Sequence, residues 1–301
     1  MKSEAARILM IAGGTDGIGF SLLQAELQRF RYSKILILGR DFSKVDRLVS
    51  EEETQQEITK LPCDVTKLDA IINTLKTIED NSIHDFVLTI GTFHRGKIAD
   101  IMSGSAAENK KNDKQYDIVA DHFHLNCVSI IHLIRLIVPK LVNGDSQILV
   151  CTASLATMAR SPYGLQSATS KYATTVLSQA IMDRSPSHYF HHRKYHELFF
   201  FLRFVLLSLF TTCRKWKEAA LRSFIDVLRI ELKGRTRVMN LMPPSLDTKI
   251  FAKSGDYRET KGYPPPSRVS KLIQQMLDCP QDICIPELLI ELHHFDVGNH
   301  A

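Results

Sequence analysis

The stretch SPYGLQSATSKYATTV, residues 161–176, sets an ammonium among hydroxyls at helical spacing. An acid placed one helical turn before a lysine is an arrangement for proton transfer, because a nearby cation favours the ionised form of the acid. Lys171 is that lysine, and Ser167, four residues earlier, stands where the acid belongs. A tyrosine has a pKa of about 10 and can be tuned by an ammonium. An aliphatic hydroxyl is a far weaker acid, and a lysine cannot bring it near neutrality. A positioned proton donor is worth roughly 10²–10⁴-fold in rate, so Ser167 is a poor replacement. Tyr163 lies about 80° around a helix from Lys171 and roughly 12 Å along its axis. It reaches the lysine only if residues 161–166 fold back as a loop, which Pro162 and Gly164 permit. Tyr172 points about 100° away and is read as a packing residue.

A second group of residues suits a phosphate. Ala12-Gly13-Gly14-Thr15-Asp16-Gly17-Ile18-Gly19 follows an apolar run and opens a helix-spaced one. In that setting Gly13 permits a tight turn, Gly17 lets the backbone approach a pyrophosphate and Gly19 allows close helix–sheet packing. The helix N-terminus then faces the anion. Thr15, Asp16 and Ile18 lie within the same turn. The second apolar run ends Leu38-Gly39-Arg40-Asp41. An acid at this point binds a ribose 2′-hydroxyl, whereas a guanidinium pairs with a 2′-phosphate. Arg40 comes first, so NADP(H) is favoured over NAD(H). Asp64 and Val65 end the third apolar run, where Asp64 is in position for an adenine edge.

These residues need a scaffold, and the hydrophobic pattern specifies one. Short apolar runs at 7–12, 34–38, 58–63, 85–90, 146–151 and 237–241 read as strands. Helical spacing separates them, beginning at 20–30, 44–48, 68–78, 117–141 and 167, and a further helix at 268–277 precedes a last strand within 283–292. Strands alternating with helices, the strands apolar on both faces, predict a Rossmann-like, doubly wound parallel sheet in a three-layer α/β/α domain spanning 1–301. Hydrophobic residues make up 44% and charged residues 24%, as in a soluble globular chain. The net charge of +5, with no dense basic run, argues against nucleic acid as a partner. Six scattered cysteines match neither a zinc site nor a disulfide framework, and Glu4 with only a short apolar run argues against a signal peptide. Together these features predict a cytoplasmic protein with no bound metal.

The ordered set of motifs resembles the short-chain dehydrogenase/reductase superfamily over nearly the whole chain. The glycine turn, Asp64-Val65, Gly91, Asn126, Ser154, Lys171 and the segment Pro243 to Thr248 occur in the family's order. The resemblance implies that Ser154 polarises a substrate carbonyl and that Lys171 binds the nicotinamide ribose. It further implies that Asn126 holds a water of the proton relay and that Thr248 touches the carboxamide. The family's tyrosine position falls on Ser167, and the separation from Ser154 agrees with that alignment. Ala12 replaces the usual threonine, Leu88-Thr89-Ile90-Gly91 replaces the usual NNAG, and Pro243-Pro244 replaces the usual Pro-Gly. The fold and cofactor frame are better kept than the chemistry. The PPxxDT and TDGIG forms are similar to reductases of lipophilic carbonyls, which implies a small lipophilic carbonyl or alcohol substrate.

Residues 174–220 form an atypical insert. In the family the helix bearing the lysine continues directly, and joining Ala173 to Leu221 restores an apolar stripe of Leu221, Phe224, Ile225, Leu228 and Leu232. The insert contains HYFHHRKYH and the apolar run 198–210, followed by CRKWK. It reads as a retained, unspliced segment, as a membrane-surface element through 198–210, or as a lid or dimer element. Interrupted by Arg203, that run is short for a membrane span. The histidines lack an acid partner for a metal. The resemblance implies a homodimer through two long helices, one of which carries the insert. Three readings stay open: an NADP-dependent oxidoreductase, a catalytically inactive nucleotide-binding or scaffold protein of the same fold, and a chain whose assembly the insert disrupts.

Overall fold

The computed structural model describes residues 7–51, 54–92, 121, 124–152, 219–253 and 259–292. Its strands are β1 (Ile8–Ala12), β2 (Lys34–Gly39), β3 (Glu57–Pro62), β4 (Asp85–Leu88), β5 (Ser146–Cys151), β6 (Thr236–Met242) and β7 (Glu287–Leu289). They form one parallel sheet of order β3-β2-β1-β4-β5-β6-β7. The helices are α1 (Gly17–Leu27), α2 (Ser43–Glu51), α3 (Leu68–Leu75), α4 (Ile130–Ile137), α5 (Ala219–Glu231), α6 (Ile250–Lys253) and α7 (Pro266–Leu277). The predicted doubly wound parallel sheet is the observed one.

Alternation along each strand sorts the core into two layers. Met10, Ala12, Leu36 and Leu38 turn to one face, where Ile71 and Leu75 of α3, Ile134 and Ile137 of α4 and Ile225 and Leu228 of α5 cover them. Leu9, Ile11, Ile35 and Ile37 turn to the other, against Leu22 and Leu23 of α1, Val45 and Leu48 of α2 and Ile273 and Met276 of α7. This two-sided burial explains why the central strands read as unbroken apolar runs. The stripe predicted for α5 is borne out: Ile225, Leu228 and Leu232 are buried, with Leu221 and Phe224 packed beside them. That helix starts at Ala219, so the last two residues of the predicted insert belong to it, while the rest of the insert lies outside the described residues.

The helix expected over 117–141 departs from the plain form. Its described part is a π-helical turn, His124–Ser129, followed by α4 and a 3₁₀ turn, Val138–Lys140. Pro139 has no N–H to continue an α-helical ladder, which accounts for the early end. The last strand is also shorter than the predicted run, pairing only through Glu287 to Leu289 with β6. Among the described residues, no helix is long and apolar enough to cross a membrane.

The N-terminal edge of the sheet carries a buried ion cluster. Asp85 is 0% exposed and accepts hydrogen bonds from the Tyr32 hydroxyl at 2.6 Å and from Arg7 at 3.2 Å. Arg7 also bridges to Asp145 at 3.0 Å. Tyr32→Phe leaves one buried carboxylate oxygen short of a donor and is expected to cost about 1–3 kcal/mol. Urea unfolding of the two proteins, followed by circular dichroism, measures the difference.

Candidate functional site

Strand order reverses direction between β1 and β4, and in such sheets ligands bind beyond the carboxyl ends at that point. The glycine turn leaves β1 there. Gly13 has φ +90° and its N–H donates to the Leu38 carbonyl at 2.9 Å. Gly17 has φ +55° and opens α1, with Asp16 extended as the N-cap. A Cβ on Gly19 would lie 2.4 Å from the Gly13 carbonyl oxygen, so α1 starts against the turn's own backbone. Gly13 thus makes the tight turn and Gly19 the close packing expected from their spacing. Ile18 is half-buried, its side chain packed against the core. Val65, likewise, is buried in the opposite core layer.

Two neighbours of the turn were not singled out by sequence. Gly39 ends β2, where a Cβ would meet Thr15 Cγ2 at 2.4 Å; the glycine gives the Thr15 side chain its place. Thr89, at the end of β4, shares its hydroxyl between the carbonyls of Ala12 at 3.2 Å and Gly13 at 3.3 Å. Its Oγ1 occupies the space a Cβ on Gly13 or Gly19 would need, at 2.8 and 2.5 Å. One threonine therefore ties β4 to the turn and enforces two glycines. The available signal was a hydroxyl residue at the end of the fourth strand, too common to stand out.

Arg40 is exposed beyond β2. Asp41 points elsewhere: its Oδ1 accepts the Ser43 N–H at 3.0 Å at the head of α2, and these Ser43 contacts hold its carboxyl below the usual range. Asp64 accepts from the Thr66 hydroxyl at 2.7 Å and its N–H at 3.1 Å. The Thr66 hydroxyl leads in lowering the Asp64 carboxyl, with Arg40 adding positive charge nearby.

Asn126 sits in the π-helical turn. Its side-chain oxygen accepts the Thr92 N–H at 2.8 Å and its amide donates to the Thr92 carbonyl at 2.9 Å. Gly91 lies beside it, a Cβ there falling 3.6 Å from Asn126 Oδ1. This double contact fixes the segment leaving β4 onto the helix, and π-turns of this kind are frequent at functional sites. At the exit of β5, Thr152 donates its N–H to Leu241 and its hydroxyl to Asn240, both at 2.9 Å. Thr248 closes the opposite side, its methyl carbon 3.8 Å from where a Gly17 Cβ would stand. The structure thus gathers the turn, Arg40, Asp64, Gly91, Asn126 and Thr248 at the carboxyl edge of the sheet. Ser154, Tyr163, Ser167 and Lys171 lie outside the described residues.

Asp16 is engaged by two lysines, Lys44 of α2 and Lys253 of α6. Lys44 also lies 5.8 Å over the Phe20 ring. Neither lysine was distinguishable in sequence, because each approaches from an element distant along the chain.

Comparison with known proteins follows the geometry. Residues 7–188 match the family model described as short chain dehydrogenase. A search of curated proteins returns no match. Among solved structures, the chain is similar to an alcohol dehydrogenase from the archaeon Thermococcus sibiricus complexed with 5-hydroxy-NADP. The TM-score is 0.63 at 16% identity, over 95% of this chain and 96% of that one. It is also similar to a dehydrogenase/reductase from Sinorhizobium meliloti 1021, with a TM-score of 0.61 at 17% identity over 96% and 94%. A short chain dehydrogenase from Shigella flexneri 2a complexed with NADP gives a TM-score of 0.61 at 15% identity over 90% of each chain. At these identities the likeness is one of fold.

Burial raises the Asp16 carboxyl, but hydrogen bonds from Lys253 and Lys44 outweigh it and bring the group down to about 2. A folded-state value below the unfolded one contributes stability above the unfolded pKa and loses it as pH falls through the folded value. Asp16→Asn is therefore expected to lower the denaturation midpoint at about pH 5 and above. The gap between the two proteins should narrow steadily as pH falls from about 4 towards 2. Chemical denaturation of both proteins across that range measures it.

Proposed function

Because the chain belongs to the short-chain dehydrogenase family, we propose that it is an NADP(H)-dependent oxidoreductase interconverting a carbonyl and an alcohol on a lipophilic substrate, with proton transfer weakened at Ser167. The observation that carries the cofactor choice is the division of labour after β2. Asp41 is committed to the head of α2, while Arg40 is exposed beside the glycine turn. A guanidinium so placed suits a 2′-phosphate, whereas an acid would favour a bare ribose.

The residues present fit the dinucleotide. The backbone from Gly13 to Gly19 and the N-terminus of α1 would hold the pyrophosphate, since a Gly17 Cβ would meet nothing closer than 3.8 Å. Arg40 would take the 2′-phosphate and Asp64 the adenine edge. Gly91, Lys171 and Thr248 would line the nicotinamide riboside. When bound, the dinucleotide supplies or accepts a hydride. Ser154 would orient the carbonyl oxygen, and Lys171 would hold the ribose hydroxyls. Asn126 keeps the adjoining backbone in place for a relay water. The proton itself comes from Tyr163 or from that water, because Ser167 is too weak an acid to supply it.

Two measurements test this reading. Titration by fluorescence should give tighter binding of NADPH than NADH. Arg40→Ala should weaken NADPH by about tenfold or more with little effect on NADH. Equal affinities in the unaltered chain would remove the NADP assignment. Ser167→Tyr should raise turnover on aliphatic and aromatic ketones by at least tenfold, within the roughly 10²–10⁴-fold worth of a positioned acid. Cofactor binding with no turnover in either form would leave a nucleotide-binding protein without hydride transfer.

A further inference from the structure

Lys253 lies outside the residues that sequence and family resemblance assign to the nucleotide, yet it reaches their rim. It is the last residue of α6, the short helix that follows Pro243 to Thr248. The base of this segment is anchored: Leu246 and Phe251 are buried, and Thr248 lies against Gly17. From that base the Lys253 side chain, 62% exposed, extends to one oxygen of Asp16 while Lys44 takes the other. Lys253 and Lys44 are also the cations whose field lowers the Asp41 carboxyl, after its Ser43 contacts. Lys253 therefore reaches the glycine turn from α6 and shares the Asp16 carboxylate with Lys44.

Two lysines share the single carboxylate of Asp16, so this pairing itself keeps one excess positive charge. Asp16 would repel a phosphate if it stood alone. Paired with two lysines, it collects them at the turn instead. A phosphate monoester carries about −1.5 to −2 charges near pH 7, against −1 for a carboxylate, and offers three acceptor oxygens. It competes effectively for one of the two ammonium groups, and Lys253 is the more exposed of the pair, at 62% against 42%. Asp16 keeps Lys44 after the exchange, so no carboxylate is left without a cation.

We propose that Lys253 is a specificity-determining residue for the 2′-phosphate, exchanging Asp16 for that group and thereby drawing the segment after β6 over the bound dinucleotide. The inference rests on the NADP(H) reading and adds to it a contact from the far end of the chain. It makes discrimination between the two dinucleotides depend on α6 as well as on Arg40. It also makes closure of that segment stronger with NADPH than with NADH.

The test measures dissociation constants for NADPH and NADH with the unaltered chain, Lys253→Gln and Arg40→Ala. Lys253→Gln should weaken NADPH about five- to tenfold and change NADH less than twofold, as expected for one charge-assisted contact at a partly exposed site. The loss should shrink as salt rises from about 0.05 to 0.5 M, because exposed charge pairs are screened. Hydrogen exchange supplies a second readout. NADPH should protect residues 247–253 more than NADH does, and Lys253→Gln should abolish the difference. Equal weakening of both dinucleotides, or of neither, overturns the proposal, as does protection that ignores the 2′-phosphate. Preference for NADPH that depends on Arg40 but not on Lys253 removes this inference and leaves the function standing. An unaltered chain that binds neither dinucleotide removes both.

Discussion

The site depends on one close approach of backbone to backbone. A Cβ on Gly19 would come within 2.4 Å of the Gly13 carbonyl oxygen, so only a hydrogen fits there. This contact lets α1 begin directly above the end of β1, with the positive end of its dipole at the sheet's carboxyl edge. Thr89 fills the remaining space from the neighbouring strand and bonds to the same turn. The position of the turn therefore follows from β1 and β4 together. Among the described candidates, Arg40, Asp64 and Gly91 are placed relative to that pair by the parallel register.

The two edges of the sheet use charge differently. At the amino edge, Asp85 is fully buried and paired with Arg7 and Tyr32. Removing one member of such a group leaves a buried polar atom without a partner, which is why these clusters resist change. At the carboxyl edge, Arg40, Lys44 and Lys253 remain half-exposed or exposed, and Asp16 holds the two lysines. Exposed pairs contribute little to stability, but they can exchange partners at small cost. One edge is built around a buried carboxylate and the other around solvent-exposed pairs.

Much of this was legible in the chain. Six apolar runs became strands with boundaries shifted by a residue or two, because a strand buried on both faces must be apolar throughout. The glycine turn was legible because its conformational demands exclude other residues. Other features were hidden. Asp16, read as a nucleotide ligand, has its carboxylate committed to two lysines. Ile18 faces the core, and the π-helical turn at Asn126 is invisible to a 3.6-residue period. These depend on neighbours that sequence spacing does not report.

The sequence by itself determined the class of fold, the place of the glycine turn and the absence of a tyrosine four residues before Lys171. Each follows from local rules: burial on two faces, glycine-only geometry and the identity of a single side chain. Only the tertiary structure shows Asp41 bonded to the head of α2 beside an exposed Arg40. It alone joined Thr89 to the glycine turn and Lys253 to Asp16, 77 and 237 residues apart. Such pairs meet because the parallel crossovers bring every strand's carboxyl end to one edge. Chain separation carries no trace of that meeting.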